Sequence, residues 1–331
     1  MSAISLLICD DSSMAQKQLL RALPEGWPVR VSQAADGREA LARIREGDIQ
    51  LVLLDLTMPE MDGYEVLQCL RDEGHSCKVV VISGDVQAEA VRRVLSLGAL
   101  AFLKKPVAAE ELQQTLEKLG LLGESAMGGA GVPASLENFR VSFRDAFREV
   151  VNVAMGRAAA LLARVLGVFI QLPVPNVNIL EVSELHMALS DAAQGEKLTA
   201  VCQGYIGGGI AGEALLIFHD SEVSDMARLM GLRDYRDMEM LLDLSSLLIS
   251  ACLSGIAEQV DVVFSQGHPQ VLGQHAAIDE LIRVNRQRWK KTLAVEISYS
   301  LEGHDIHFDL LLLFTEDSVA LLSRKLAYLM D

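Results

Sequence analysis

The sequence predicts an α/β fold for its first third and a different, α+β domain for the remainder. Over residues 1–120, short apolar runs alternate with segments of helical periodicity, and this pattern is typical of repeated strand–helix units in a doubly wound parallel sheet. Residues 135–331 instead repeat a single pattern of long helix, hairpin and closing helix. Residues 121–134, which are rich in glycine and small residues, separate the two parts and are predicted to be a flexible linker.

Five strand–helix units account for the first part. The strands are short apolar runs bounded by turn residues, as expected for parallel strands that are buried on both faces. Parallel strands joined by right-handed helical crossovers form one open sheet. The predicted strands are residues 3–9, 29–34, 50–55, 78–83 and 101–103, and the predicted helices are residues 13–23, 37–45, 63–73, 86–97 and 109–119.

Polar side chains stand at the ends of four of these strands. Asp10 and Asp11 follow the first strand, Asp55 ends the third, Ser83 ends the fourth and Lys105 follows the fifth. The carboxyl ends of parallel strands meet at one edge of the sheet, where such folds bind ligands. Neighbouring carboxylates repel unless a cation lies between them, and Mg²⁺ takes oxygen ligands. A single Asp at a strand end could equally well be a helix cap. The whole set of residues, however, predicts a site for Mg²⁺ and for a phosphoryl group on Asp55.

This ordered set of motifs resembles the receiver domain of response regulators over residues 1–119. The resemblance implies that Asp55 accepts a phosphoryl group from a histidine kinase. It also implies that Asp10, Asp11 and Asp55, together with the backbone carbonyl of Thr57, bind Mg²⁺.

The same resemblance implies roles for residues at the last two strands. Ser83 and Lys105 are expected to contact the phosphoryl oxygens, and Phe102 matches the aromatic switch position. The Lys105–Pro106 peptide bond is expected to be cis. No position that the chemistry requires departs from the pattern, so the domain is expected to be phosphorylatable.

The overall composition limits the choice of partners and location. The chain has 331 residues and a formal net charge of −16, which is a poor match for nucleic acid because affinity for nucleic acid comes largely from Lys and Arg. The five cysteines have no metal-ligand spacing, and the N-terminal residues do not resemble a signal peptide. Residues 150–170 are apolar but carry Asn152, Arg157 and Arg164, which argues against a membrane span. We therefore expect a cytoplasmic protein that binds neither nucleic acid nor membrane.

The second part contains an internal repeat, with halves at about residues 140–232 and 238–331. Residues 145–152 align with residues 243–250 at an offset of 98, and residues 215–218 align with residues 311–314 at an offset of 96. Chance similarity between two apolar helices and two Leu-rich strands is the alternative, but the nearly constant offset argues against it. The two halves are expected to share one sheet across a pseudo-twofold axis.

Turn and cap residues define the predicted hairpins and closing helices of the repeat. The hairpins are expected to turn at residues 207–209 and near residues 302–303. Two short polar pairs precede the closing helices and are predicted as their N-caps, namely Asp220 with Ser221 and Asp317 with Ser318.

One helix face in the first half of the repeat carries a polar trio. Asp145, Glu149 and Asn152 are spaced i, i+4 and i+7 and therefore share a face. A solvated stripe on an amphipathic helix is the ordinary explanation. However, Leu247 and Ser250 replace Glu149 and Asn152 in the second half, although a face needed only for solubility should be polar in both halves.

This spacing at the start of a long helix is similar to that of the CheC, CheX and FliY phosphatases of chemotaxis. The resemblance implies that Glu149 and Asn152 hydrolyse the phospho-aspartate of receiver domains, at one active site because Leu247 and Ser250 cannot reproduce it. An amide at Asn152 can position a water for in-line attack. The expected partner of Glu149 is the active-site lysine of the receiver that is the substrate.

The resulting hypothesis is a response regulator whose C-terminal domain dephosphorylates a separate phosphorylated receiver. Phosphorylation of Asp55 is expected to raise that activity, and deletion of residues 1–120 to relieve the control. The alternative is a docking module of weak activity whose partner contacts are controlled by phosphorylation. The oligomeric state is left open, a homodimer included.

Overall fold

A computed structural model describes residues 3–122, 141–180, 197–231, 237–276 and 292–330. The chain forms two compact units, Met1–Glu149 with Leu329–Asp331, and Val150–Tyr328. Residues 123–134 of the predicted linker lie outside the described residues, so the linker and the domain boundaries predicted from the sequence stay predictions.

The first unit contains a five-stranded parallel sheet in the order β2–β1–β3–β4–β5. The strands are β1 (Ile4–Cys9), β2 (Val29–Ala34), β3 (Leu51–Leu54), β4 (Lys78–Ser83) and β5 (Ala101–Lys104). The helices are α1 (Ser13–Ala22), α2 (Gly37–Glu46), α3 (Gly63–Asp72), α4 (Ala88–Ser96) and α5 (Ala109–Lys118), and the first turns of α6 (Phe143–Leu166) also fall in this unit. The predicted doubly wound fold is confirmed.

The apolar runs of the strands supply two cores, one on each face of the sheet. Leu7 and Cys9 of β1 belong to one core, whereas Leu6 and Ile8 of the same strand belong to the other. All four side chains are fully buried. Because successive residues of a strand point to opposite faces, only a continuous apolar run can supply both cores.

The loop after β3 depends on one glycine. A Cβ atom at Gly63 would lie 2.3 Å from the carbonyl oxygen of Asp55, so only glycine allows α3 to begin so close to the strand end. The Gly63 amide donates to the Leu56 carbonyl at 3.0 Å. Asp62 and Glu65 then form a capping box on α3, and these contacts hold the segment that carries Asp55.

The second unit contains an eight-stranded sheet with the main order β10–β8–β9–β13–β12–β6, in which β11 also pairs with β8 and β7 with β12. Its strands are β6 (Ile170–Gln171), β7 (Asn176–Leu180), β8 (Leu198–Gly207), β9 (Ile210–His219), β10 (Ser265–Gln266), β11 (Gln270–Ala276), β12 (Thr292–Leu301) and β13 (His307–Thr315). Its helices are the rest of α6, α7 (Val223–Leu229), α8 (Asp237–Val260) and α9 (Glu316–Met330), whose last residues belong to the first unit. This is an α+β arrangement, as predicted.

The two halves of the repeat meet at the centre of this sheet. Helices α6 and α8 are each 24 residues long, and the hairpins β8–β9 and β12–β13 join through antiparallel pairing of β9 with β13. In that pairing Leu215 lies opposite Leu311, and these are the residues that the 96-residue offset makes equivalent. A residue that pairs with its own equivalent marks a local twofold axis, so the predicted pseudo-symmetry is confirmed.

Within the second unit α6 and α8 approach closely. A Cβ atom at Gly255 would lie 2.7 Å from the Cα of Ala154, and the Gln259 side chain donates to the Val150 carbonyl at 2.8 Å. Among the described helices, Asp237–Val260 is long and apolar enough to cross a membrane by length and composition. A helix buried in a domain core has the same composition, so this is weak evidence for a span.

The predicted N-caps of the closing helices are wrong. Helix α7 has Glu222 at its N-cap position, and the Asp220 carboxylate instead accepts a hydrogen bond from the Thr199 hydroxyl at 2.7 Å. Helix α9 begins at Glu316, so Asp317 and Ser318 lie inside it. Ser318 bonds both backbone groups of Ala211 in β9. The side chains of Asp220 and Ser318 therefore bond to the sheet and not to the first turns of the helices.

Candidate phosphoryl-acceptor site

The side chains at the strand ends come together in the first unit. Asp10, Asp11 and Asp55 each offer a carboxylate oxygen, and these oxygens lie within 4.8 Å of one another. The Lys105 ammonium lies 2.7 Å from Asp10 Oδ2 and 3.2 Å from Asp55 Oδ2. Asp55 is 1% and Lys105 5% exposed, so these charges interact with little screening by water.

Backbone hydrogen bonds hold the residues around the acids. Asp10 Oδ1 accepts from the Ser12 amide at 2.9 Å, and Ser12 caps α1 by accepting from the Ala15 amide. Ser83, fully buried at the end of β4, accepts from the Lys105 amide through its carbonyl at 2.9 Å. The Lys105–Pro106 bond is cis, as predicted.

Two further residues were predicted for this site. Thr57 is half-buried in the loop after β3, and its role as a backbone ligand stays a prediction. Phe102, on β5, is half-buried and packs against the core that contains Leu54 and Val81, so its role as a switch residue also stays a prediction.

The ionisable groups strongly perturb one another. Burial raises the pKa of Asp55 well above its usual range despite the opposing effect of Lys105. Burial and the neighbouring Asp10 raise the pKa of Asp11 to about 6. Burial alone would lower the pKa of Lys105, but Asp10, Asp55 and Glu149 outweigh it and raise that pKa well above its usual value. The carboxylates of the site therefore outnumber the cations that neutralise them.

The donor set fits a hard divalent cation. Three carboxylates provide oxygen ligands only, which suits Mg²⁺. With Glu149 and Asp145, five carboxylates face two cations, Lys105 and Arg148, so a divalent cation would offset most of the excess negative charge. Asp55 Oδ1 is buried and has no hydrogen-bonding partner in the described ranges. Asp10, Asp11 and Asp55 are therefore the residues that would hold the ion.

The first turns of α6 belong to the same unit and reach this cluster. Glu149 Oε1 lies 3.2 Å from the Lys105 ammonium. Glu149 is only 4% exposed, and burial raises its pKa to about 7 while Lys105 opposes the shift. The sequence predicted a receiver lysine as the partner of Glu149, and in this structure Glu149 contacts Lys105 of its own chain.

Arg148 is a contact residue that the sequence analysis missed. One of its guanidinium nitrogens donates to the Asp11 carbonyl at 3.1 Å and lies 3.3 Å from Asp11 Oδ2. The same nitrogen also contacts the Asp145 carboxylate at 3.1 Å. This cation offsets the like charges of Asp145 and Glu149 on one helix face. In the sequence, the position of Arg148 directly before Glu149 could have indicated this contact.

Asn152 lies three residues after Glu149 on the same helix, at the start of the second unit. Its side chain is 6% exposed, and within the described ranges its amide has no hydrogen-bonding partner. The equivalent Ser250 on α8 differs, since its hydroxyl donates to the Gln266 side chain at 2.7 Å. Of the two equivalent positions, only Asn152 keeps its polar group available.

Known proteins match the first unit. Residues 6–117 match the model of the response regulator receiver domain. The chemotaxis protein CheY of Listeria monocytogenes is 33% identical over 115 residues, which are 35% of this chain and 97% of that protein. The chain belongs to the response regulator receiver family. The transcriptional regulatory protein ZraR of Salmonella typhimurium is 32% identical over 165 residues, and this chain spans 37% of its length.

Two solved structures with similar parts come from chemotaxis proteins. A complex of CheX and CheY with BeF₃ and Mg²⁺ from Borrelia burgdorferi matches with 29% identity and a TM-score of 0.34, covering 36% of this chain and 90% of that chain. FliY of Thermotoga maritima matches with 17% identity and a TM-score of 0.42, covering 56% of this chain and 96% of that chain. None of these similarities tests the expectation that the chain does not bind nucleic acid.

Proposed function

We propose that this response regulator is a phospho-aspartate phosphatase for receiver domains, with Glu149 and Asn152 as its active residues. The observation that carries the proposal is the 3.2 Å contact between Glu149 Oε1 and Lys105 Nζ beside Asp55. It supports the proposal because a carboxylate of this helix contacts the acid–lysine cluster, which comprises Asp10, Asp11, Asp55 and Lys105. A stripe required only for solubility would not place a buried carboxylate there.

The receiver half of the proposal is a phosphoryl transfer to Asp55. A carboxylate oxygen of Asp55 attacks the phosphorus of a phosphohistidine in the kinase, the N–P bond breaks, and the histidine nitrogen leaves with the electron pair. Lys105 lies 3.2 Å from Asp55 Oδ2 and can neutralise charge on the transferred group. Mg²⁺ bound by Asp10, Asp11 and Asp55 would supply further charge neutralisation.

The phosphatase half is hydrolysis of that acyl phosphate. A water attacks phosphorus, the bond between phosphorus and the Asp oxygen breaks, the carboxylate leaves with the electron pair, and both water protons end on the released phosphate. An amide offers a donor and an acceptor but no charge, so Asn152 can orient the water without repelling the phosphoryl group. Glu149 acts by ion pairing with the receiver lysine, which sets the register of the two reacting surfaces.

Phosphate release from a stand-alone receiver tests the proposal. The full chain is added to an isolated receiver domain that has been phosphorylated with a small acyl phosphate and freed of donor. We expect faster phosphate release than without the chain, and a loss of about 10²-fold or more in turnover for Asn152→Ala, as for removal of one positioned polar group.

Ser250→Ala is the matched control, because it changes the pseudo-symmetric position and removes one hydrogen bond to Gln266. It should keep nearly full turnover. Equal losses at Asn152 and Ser250 in folded variants would show that the single site is misassigned. If the full chain releases no phosphate from any receiver tested, the alternative of a docking module is favoured instead.

A further inference from the structure

We propose that the phosphatase residues act on Asp55 of their own chain, so that this response regulator erases its own phosphorylation within the molecule. This inference rests on the proposed function and names its substrate. The six side chains that carry it, Asp10, Asp11, Asp55, Lys105, Arg148 and Glu149, all lie in one compact unit.

The first observation is the position of Glu149. Its carboxylate contacts the same Lys105 ammonium that contacts Asp55, and all three side chains are buried. In the proposed function Glu149 pairs with a receiver lysine, and the chain forms this pair with its own Lys105. Helical spacing places Asn152 on the same face, one turn later.

The second observation is Arg148, which lies outside the trio of Asp145, Glu149 and Asn152. Its guanidinium contacts both the side chain and the backbone carbonyl of Asp11, and Asp145 holds it from the other side. Two neighbouring residues of α6 therefore contact two different members of the acid–lysine cluster. A single ion pair could arise by chance, but two adjacent contacts define an orientation. Arg148 is the positioning residue that holds the receiver against Glu149.

The third observation is the charge balance. Glu149 and Asp145 bring negative charge toward a cluster that is already acidic, and Arg148 offsets part of it. Because the region is buried, an unbalanced carboxylate would be costly. Glu149 pairs with Lys105 and Arg148 pairs with Asp11, so each of these two charges on α6 has an opposite partner in the cluster.

The test follows loss of labelled phosphate from the full chain. The chain is phosphorylated on Asp55, freed of donor and diluted over about a hundredfold range of concentration. An intramolecular reaction has an effective concentration set by the chain itself, so the half-life of the label should not change on dilution. Asn152→Ala should lengthen that half-life by about 10²-fold.

Arg148→Ala should slow loss of the label by about tenfold, as expected for removal of a charge-assisted contact, and Arg148→Lys should recover part of the rate. Arg144→Ala is the matched control, since Arg144 is exposed on the same helix. It should leave the half-life unchanged. Equal effects of Arg144→Ala and Arg148→Ala would overturn the positioning role.

Mixing separates action within one chain from action between chains. Unlabelled, unphosphorylated wild-type chain is added at an equal, dilute concentration to labelled Asn152→Ala chain. Reaction between chains lacks the tethered effective concentration, so the label should be lost far more slowly than from wild type, and recovery of the wild-type rate would overturn the inference. If label loss is the same in wild type and Asn152→Ala while a stand-alone receiver is still dephosphorylated, only this inference fails. If neither substrate is dephosphorylated, the proposed function fails with it.

Discussion

At the scale of single residues, burial decides the chemistry of the receiver unit. Asp11, Asp55 and Glu149 have raised pKa values chiefly because burial excludes water from their carboxyl groups. An arginine beside a glutamate is typical of an exposed helix surface. In the structure, however, Arg148 and Glu149 both contact the acid–lysine cluster.

Asp85 provides a pH test in the same unit, away from the proposed metal ligands. It is buried after β4, where the Gln87 amide donates to its Oδ1 at 3.0 Å, and burial raises its pKa to about 6 from 3.8. Because the pKa of Asp85 is higher in the folded state than in the unfolded state, its contribution to stability is fully present below the unfolded pKa. That contribution is lost as pH rises through about 6. Asp85→Asn should therefore raise the free energy of unfolding at neutral pH by about 1–3 kcal/mol.

Urea denaturation followed by tryptophan fluorescence measures this effect. The gain of Asp85→Asn over wild type should be small near pH 4 and should grow between about pH 4 and pH 6. Asp48→Asn is the control, since Asp48 is exposed in the same unit. A gain for Asp85→Asn that does not vary with pH would mean that ionisation of Asp85 does not cost stability.

At the scale of elements, small residues set the distance between α6 and α8. The approach of Gly255 to Ala154 leaves no space for a Cβ atom, and the Gln259 side chain bonds across the same contact to the Val150 carbonyl. Since α6 carries Asn152, the packing of the two helices sets the position of the proposed catalytic amide within the second unit.

Gly255→Ala is expected to be destabilising although alanine favours a helix. The propensity gain is about 1 kcal/mol, but the new methyl group would meet backbone and Cβ atoms of Ala154 within 2.8 Å. Overpacking of this kind costs about 1–3 kcal/mol, so we expect a net loss of about 1 kcal/mol in thermal or urea unfolding. Ser254→Ala changes the next, exposed position and should be neutral or slightly stabilising.

A second substitution, at Ala154, tests the same contact between the helices. Combining Gly255→Ala with Ala154→Gly removes the contact with the Ala154 Cβ but leaves the one with its Cα, so the double variant should lose somewhat less than the sum of the single variants. Strict additivity would show that the two residues do not interact in solution.

At the scale of the whole molecule, the contact between Glu149 and Lys105 changes the expected sign of regulation. From the sequence, phosphorylation of Asp55 was expected to raise activity toward a separate receiver. If Glu149 and Asn152 act on Asp55 of their own chain, as proposed, they should instead be occupied while Asp55 carries its phosphoryl group. The tethered receiver competes at an effective concentration of about 1 mM, well above that of a substrate supplied at micromolar levels.

We therefore expect beryllofluoride bound at Asp55 to lower turnover of a separate phosphorylated receiver by about tenfold or more. The separate receiver carries its own label, so that its phosphate alone is followed. Asp55→Ala, which cannot be phosphorylated, identifies effects of beryllofluoride on the separate receiver itself. A rise in turnover would restore the activating sign predicted from the sequence, and an unchanged rate would show that Asp55 does not control the phosphatase.

The sequence by itself determined much of the fold and most of the candidate site. Continuous apolar runs ending in Asp10, Asp55 and Lys105 indicated a parallel sheet, because two-sided burial and shared strand ends are properties of local pattern. The internal repeat predicted one shared sheet with pseudo-twofold symmetry, and the structure pairs the equivalent residues Leu215 and Leu311 at the centre of that sheet. The N-caps at Asp220 and Ser318 failed because their side chains bond to the sheet, which local spacing does not show.

Only the tertiary structure decided which groups meet across long separations in the chain. Arg148 contacts Asp11 across 137 positions of sequence, and Glu149 contacts Lys105 of its own chain. Periodicity places a side chain on a helix face but does not say what that face touches, because packing depends on the joint fit of all elements and on which buried charges find partners. The receiver site could thus be predicted from local pattern, whereas its engagement by residues of α6 could not.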